Sequence, residues 1–428
     1  MLSRLKPKSE FSRNVLILMT GTTIAQAIPI AISPILARIY TPEDFGVFAL
    51  FIAIISILGI IISARYDFAI ILPKKDKDAL HLLILSVLIN FVLCLIFLII
   101  VIIFNEKITL FLANPEISIW LYFVPFSLFT IGIYQSLSFW ANRKKYYKEL
   151  SISRVSQSSS SSVSNLGIGL IGFNNIGLIV GQILGQTIAT LILIKLTWSE
   201  IRTKLIFFKR IKLFAIAKRY SKFPKYDILA SLINVSSHQL THILINIIFG
   251  AVTAGLFYFT QKILSLPISL IASSISDVFR QEATKEYQQF GNAWMVYKKT
   301  LRKLFFLGLI PSIILFLYSV EIFVLIFGEQ WRISGEYAQI LVPMLFLQFI
   351  SSPLSSMLYI AEKQNINLVL QIVLFLLVSS SIFFSNDSYM VVILLSISFS
   401  LFYILQLVLS ILFAKGLEVS NFFRREIK

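Results

Sequence analysis

Residues 45–80 read FGVFALFIAIISILGIIISARYDFAIILPKKDKDAL. The first twenty of these, 45–64, carry no charge. As a helix they span about 30 Å, the thickness of a bilayer's hydrocarbon core. Arg65 and Asp67 follow, then the apolar FAIIL, and only at Pro73 does the segment break into lysines. Two readings are open. The span ends near Ala64 and Arg65 snorkels to the headgroups, or the helix runs on to Pro73, past the membrane, with Arg65 facing a cavity. The apolar FAIIL favours the second, so one continuous helix over 44–72 is expected. Arg65 and Asp67, two apart, do not share a helical face, which argues against a simple ion pair between them.

The rest of the chain repeats this apolar signal. Of 428 residues, 57% are hydrophobic and 14% charged, against about half and a quarter in soluble domains. The expectation is an all-α polytopic membrane protein. Twelve segments are long and apolar enough: 14–37, 44–72, 80–104, 118–140, 152–172, 176–197, 223–249, 253–278, 302–327, 336–359, 366–384 and 389–414. The basic start, MLSRLKPKSEFSRN, leads into the first of them without a cleavage motif and reads as part of a retained span. Of 38 Lys and Arg, 34 fall at the termini and on alternate loops, three (Arg38, Lys107, Arg332) fall on the opposite side, and Lys262 lies inside a span. This bias puts both termini in the cytoplasm. It also accounts for the net charge of +17 without a nucleic-acid partner. The single cysteine, Cys94, gives neither a disulfide nor a cysteine metal site.

The longest basic connection contains KLIFFKRIKLFAIAKRY, residues 204–220. Bases alternating with apolar residues suit a helix in the headgroup plane and equally a tether between halves. The expected organisation is an N-terminal six-helix lobe (1–197), a basic cytoplasmic connection (198–222) and a C-terminal six-helix lobe (223–428). The halves are weakly alike. In each, a polar-dotted helix precedes a glycine-marked aromatic stretch, FGVFALF around Gly46 and AGLFYFTQK around Gly255. Internal repeats of this kind are common in transporters, with the substrate between them.

Two stretches carry a more specific signal: GTTIAQAIPIAISPILARIYTPEDFGVFALF (21–51) and ARYDFAIILPKKDKDA (64–79). They resemble the N-terminal signature of bacterial polysaccharide-repeat flippases of the O-antigen, or Wzx, type. These belong to the multidrug/oligosaccharidyl-lipid/polysaccharide exporter superfamily. The resemblance implies two lobes around a central cationic cavity in the bacterial inner membrane. It implies cargo consisting of an undecaprenyl-diphosphate-linked oligosaccharide destined for polysaccharide or lipopolysaccharide biosynthesis. Partners would then be that lipid-linked oligosaccharide, membrane lipid, and a polysaccharide polymerase with its chain-length machinery.

The physics suits such cargo, because unpaired polar groups cost several kcal/mol in hydrocarbon and need cations, amides, hydroxyls and aromatics in a wet path. The substrate-binding candidates are Arg38, Arg65, Lys262, Gln26, Gln239, His242 and Tyr134. Lys262, a lone base deep in a span, faces either a cavity or an acidic partner. Arg38 serves either a loop ion pair with Glu43 or Asp44 or a phosphate. His238 and His242, one helical turn apart, suit a hydrogen-bonding lining better than a metal, and no metal site is expected. Tyr134, Gln135 and Trp140 are candidates for contact with sugar, although interfacial anchoring is the stronger reading of Trp140. Asp67 and Asp277 are the candidates for ion coupling. Gly177, Gly181 and Gly185, four apart, read as close helix packing, and the serine run 158–162 as a helix buried in its lobe or lining water. No phosphate-binding loop, nucleophile elbow or catalytic carboxylate pair is present, so neither cofactor nor enzymatic activity is expected. The alternatives are an ion-coupled multidrug exporter of the same superfamily and a membrane polymerase or ligase, whose large external loop this chain lacks.

Overall fold

The computed structural model describes residues 10–172, 174–206 and 208–417. The counted bases Arg4, Lys6, Lys8, Arg424, Arg425 and Lys428 lie outside these. Among the described residues the secondary structure is helical: α1 (Glu10–Ile39), α2 (Pro42–Leu58), α3 (Tyr66–Ala69), α4 (Asp76–Phe111), α5 (Ile117–Leu121), α6 (Val124–Arg143), α7 (Tyr147–Leu170), α8 (Asn174–Leu205), α9 (Arg210–Arg219), α10 (Ile228–Phe290), α11 (Trp294–Phe327), α12 (Arg332–Leu354), α13 (Ser356–Ile360), α14 (Gln364–Phe383) and α15 (Ser388–Ala414). A helix lies at each of the twelve expected spans, the seventh and eighth being the two parts of α10. Among the described residues, eight stretches are long and apolar enough to cross a membrane by themselves. α2, with 17 residues, the polar-dotted α6 and the serine-rich α7 are not among them. Ile99, Ile102 and Ile103 on α4 point outward, as lipid-facing side chains do. The protein is a polytopic all-α membrane protein.

The continuous helix expected over 44–72 is not formed. α2 ends at Leu58, and Ala64 and Arg65 adopt left-handed backbone at φ 46° and 61°. Ser63 supplies the competing local bonds: its hydroxyl donates to Asp67 at 2.7 Å and accepts from the Arg65 amide at 3.2 Å. Short polar side chains that bond nearby backbone in this way divert a chain from helix. Projection beyond the membrane belongs instead to α4, whose 36 residues reach about 54 Å. The T-P-E-D turn before α2 is a helix start. The Thr41 hydroxyl accepts from the Asp44 amide at 3.2 Å, and Asp44 accepts from the Thr41 amide at 2.8 Å, a reciprocal capping box.

The chain forms two compact units, Met1–Gly255 and Leu256–Lys428. In the first, α7 packs on α8 and α1, α4 on α6, and α6 on α8. The serines of α7 are spent on this packing: Ser158 donates to the Ala25 carbonyl at 2.5 Å and Ser151 to that of Ile17 at 2.9 Å. Gly181 and Gly185 of α8 face α7 so closely that an added Cβ at Gly185 would stand 2.7 Å from the Gln157 carbonyl oxygen. Gly46 of α2 meets Ala251, and Gly255 meets Pro42 and Gly46. A Cβ at Gly46 would lie 2.0 Å from the Ala251 oxygen, and one at Gly255 would lie 1.7 Å from the Pro42 oxygen. The two glycines that mark the weak repeat therefore touch. The second unit packs α11 on α12, and α12 and α14 on α15. Phe259 in its core lies 3.9 Å from Trp331 with the rings tilted and meets Phe327 edge to face at 5.0 Å, centroid to centroid.

Candidate functional site

The break after α2 presents Arg65. Its Nε donates to Asp227 Oδ2 at 2.6 Å and its Nη2 to the Ser231 hydroxyl at 2.8 Å. The guanidinium also sits 4.0 Å from the Phe68 ring centroid. Arg65 thus ties the break to the start of α10. Tyr66 donates to the Ala217 carbonyl of α9 at 3.0 Å, so the basic connection docks on the same break. α9 keeps Ile216 buried while Ile211 and Phe214 stay exposed, which leaves an apolar edge for the headgroup region as well as a docked one. Asp67 lies beneath, buried, with Oδ1 bonded to Ser63 and Oδ2 without a hydrogen-bond partner.

Next to this break lies a compact ion cluster. Arg143 Nη2 donates to Asp76 Oδ1 at 3.0 Å, and Lys204 reaches Asp76 at 2.8 Å and Glu200 at 2.5 Å. Lys144 pairs with both carboxylates. Arg143 also donates to the Ile71 carbonyl at 3.1 Å, holding the strand of chain after α3. The Lys144 and Lys204 ammoniums stand 5.6 and 5.3 Å from the Trp140 ring, within cation–π range. Trp140 is fully buried in the lobe core, so its expected place as an interfacial anchor is not the observed one: a ring with no exposed surface has none to offer headgroups.

The other candidates are dispersed. Arg38 is exposed and forms no ion pair with Glu43 or Asp44 among the described residues; Asp44 is taken by the cap. Gln26, on α1, has a buried carbonyl oxygen without a hydrogen-bond partner. The Tyr134 hydroxyl meets Ser153 at 3.2 Å inside the first unit. His238, Gln239 and His242 share the first part of α10, which breaks at Gly250 with φ 85° and ψ 170°. Among the described residues no cluster of His, Cys, Asp and Glu suits a metal. Lys262 lies twelve residues past that break, its ammonium 5.7 Å from the Tyr258 ring. Asp277, further along α10, is exposed.

Sequence reasoning missed Asp227 as the partner of Arg65. The signal was present: Asp227 is the one acidic residue between Glu200 and Asp277, in the most basic stretch of the chain. A lone acid among many cations is a marker for a specific pair.

The profile of the family described as polysaccharide biosynthesis protein matches residues 35–335. No curated protein matches the sequence significantly. Among solved structures, the lipid II flippase MurJ in an inward closed conformation is similar, with a TM-score of 0.71, 14% identity, and 92% of this chain and 87% of that chain covered. An inward-facing multidrug resistance MATE family transporter of the MOP superfamily gives 0.68 at 15% identity, covering 92% and 93%. A MOP superfamily transporter from Pyrococcus furiosus, described by the reverse polarity of its binding pocket, gives 0.63 at 14% identity, covering 93% and 94%. These likenesses show that the fold is the one found in MOP superfamily transporters.

Proposed function

The chain belongs to the polysaccharide biosynthesis protein family, and from that premise we propose that it is a flippase: it moves undecaprenyl-diphosphate-linked oligosaccharide repeat units from the cytoplasmic to the outer leaflet of the bacterial inner membrane. Family membership over residues 35–335 carries the reading. The fold shared with transporters supports it, and so does the guanidinium of Arg65, whose partners are polar side chains. In this reading the diphosphate is drawn by Arg65 and Lys262 in alternating access, and Arg38 lies on the exit side. Gln26, Gln239, His242 and Tyr134 supply hydrogen bonds to sugar. Asp67 and Asp277 couple the cycle to an ion gradient. No catalytic role is assigned.

The test is reconstitution into vesicles loaded with the host's lipid-linked repeat, with arrival in the far leaflet read by an impermeant oxidant or lectin. Wild type transfers the sugar. Lys262→Met abolishes transfer at normal protein levels while Lys262→Arg retains much of it, because guanidinium also binds phosphate. Efflux of cationic dyes with no transfer of the lipid-linked sugar would assign the chain to the multidrug exporters instead.

A further inference from the structure

The second unit holds a cavity of about 560 Å³ between the last third of α10 and the turn around α13. That volume is within the range of about 300–1,000 Å³ typical of small-ligand sites. Arg280, Tyr287, Gln288, Ser356, Tyr359 and Glu362 line it, together with a threonine and one short aliphatic stretch. The start of the next helix, α11, carries Lys298, Lys299, Arg302 and Lys303.

Its chemistry is specific in what it excludes. Arg280 and Glu362 form no ion pair among the described residues, so one cation and one anion line the same cavity with their donors and acceptors available. A diphosphate would meet Glu362 as well as Arg280, which disfavours it. An apolar drug would desolvate both charges without pairing either. What remains is a neutral, hydroxyl-rich ligand. Guanidinium, carboxylate and amide groups each bond two adjacent hydroxyls, and a tyrosine ring packs on the apolar face of a pyranose. Tyr359 is 54% exposed, and its oxygen accepts from Asn367 Nδ2 at 3.2 Å, which leaves the ring to stand open. Glu362 is held in left-handed backbone at φ 58°, so its carboxylate is presented from a turn rather than from a helix face. Thr284 is tied back to the Arg280 carbonyl at 2.7 Å, orienting that wall.

We propose that this cavity is an oligosaccharide subsite that receives the distal sugars of the repeat unit before translocation. The inference rests on the flippase reading and adds where repeat length is sensed. The diphosphate and first sugar are held elsewhere, and only a repeat long enough to reach α13 gains the contacts of this subsite.

The experiment compares two cargoes in reconstituted vesicles: undecaprenyl diphosphate bearing the full repeat, and the same lipid bearing its first sugar alone. In the Tyr359→Ala, Gln288→Ala double variant, transfer of the full repeat at sub-saturating cargo falls about tenfold, as for a lost stacking contact plus a lost hydrogen bond. Transfer of the first-sugar lipid stays within about twofold of wild type. Tyr359→Phe, which keeps the ring, retains full-repeat transfer. Equal slowing of both cargoes, or slowing of neither, overturns the subsite while leaving the flippase in place. Wild-type protein that transfers neither cargo rejects the function and the subsite together.

Discussion

Arg65 and Asp227 make the most direct quantitative test of the break after α2. The pair is 2.6 Å long, and its side chains are 17% and 41% exposed. A charge-assisted hydrogen bond contributes about 1.5–3 kcal/mol when shielded, but a pair this open to water on one side is discounted toward the ~1 kcal/mol of surface bridges. The expected coupling energy is therefore about 1–2 kcal/mol. It is read from a double-mutant cycle of Arg65→Ala and Asp227→Ala, by reversible denaturation in mixed micelles. The single variants should not cost the same. Arg65→Ala also loses the Ser231 bond and the Phe68 contact at 4.0 Å, adding about 0.5–1 kcal/mol. Arg65→Gly recovers about 1 kcal/mol relative to Arg65→Ala, because φ 61° strains any residue with a Cβ. A coupling energy below about 0.3 kcal/mol would refute the pair as a tether. Equal stability of the Ala and Gly variants would refute the left-handed turn.

Three further outcomes are expected. Gly46→Ala destabilises by about 1–3 kcal/mol in the same denaturation assay, because the Cβ would stand 2.0 Å from a backbone oxygen and that overlap outweighs the ~1 kcal/mol alanine gains in a helix. Asp67→Asn leaves the fold intact, since an amide still accepts from Ser63, but removes the dependence of transfer rate on the proton or sodium gradient; unchanged gradient dependence removes Asp67 from coupling. In a chain whose buried Cys94 is replaced by alanine, Asn386→Cys reacts with an impermeant thiol reagent added outside intact spheroplasts and Gln288→Cys does not, with the reverse pattern inverting the charge-based orientation.

The positions of the helices were legible because a bilayer imposes length and apolarity on every span, and α4, α11 and α15 answer to that alone. Helix interruption was less legible. FAIIL is as apolar as a span, and only small residues in a run of isoleucines, Gly59 at the end of α2 and Ser63 before the turn, signal the interruption. Packing glycines were legible on α8, where their four-residue spacing is a helical repeat. The encounter of Gly46 with Gly255 was visible only as a faint likeness between segments about 209 residues apart. Arg65 was recognisable as a charge that required a reason, but its partner lies 162 positions away, a separation no local pattern encodes. The cavity at Tyr359 was unreadable for a similar reason: its two walls come from α10 and α13, and neither wall alone looks unusual.

The boundary between the compact units falls at Gly255, inside α10, while the exposed basic connection ends about thirty residues earlier. A protease acting on that connection therefore cuts within the first unit, not between the two. Its products would remain associated, since Arg65 holds Asp227 and the Asn114 amide reaches Asn246 at 3.2 Å across the cut. The gene could accordingly be divided near codon 208 and expressed as two polypeptides that reassemble in the membrane. The C-terminal polypeptide would bring residues 228–255 as the missing member of its partner's bundle. A division at codon 256 would instead sever a helix.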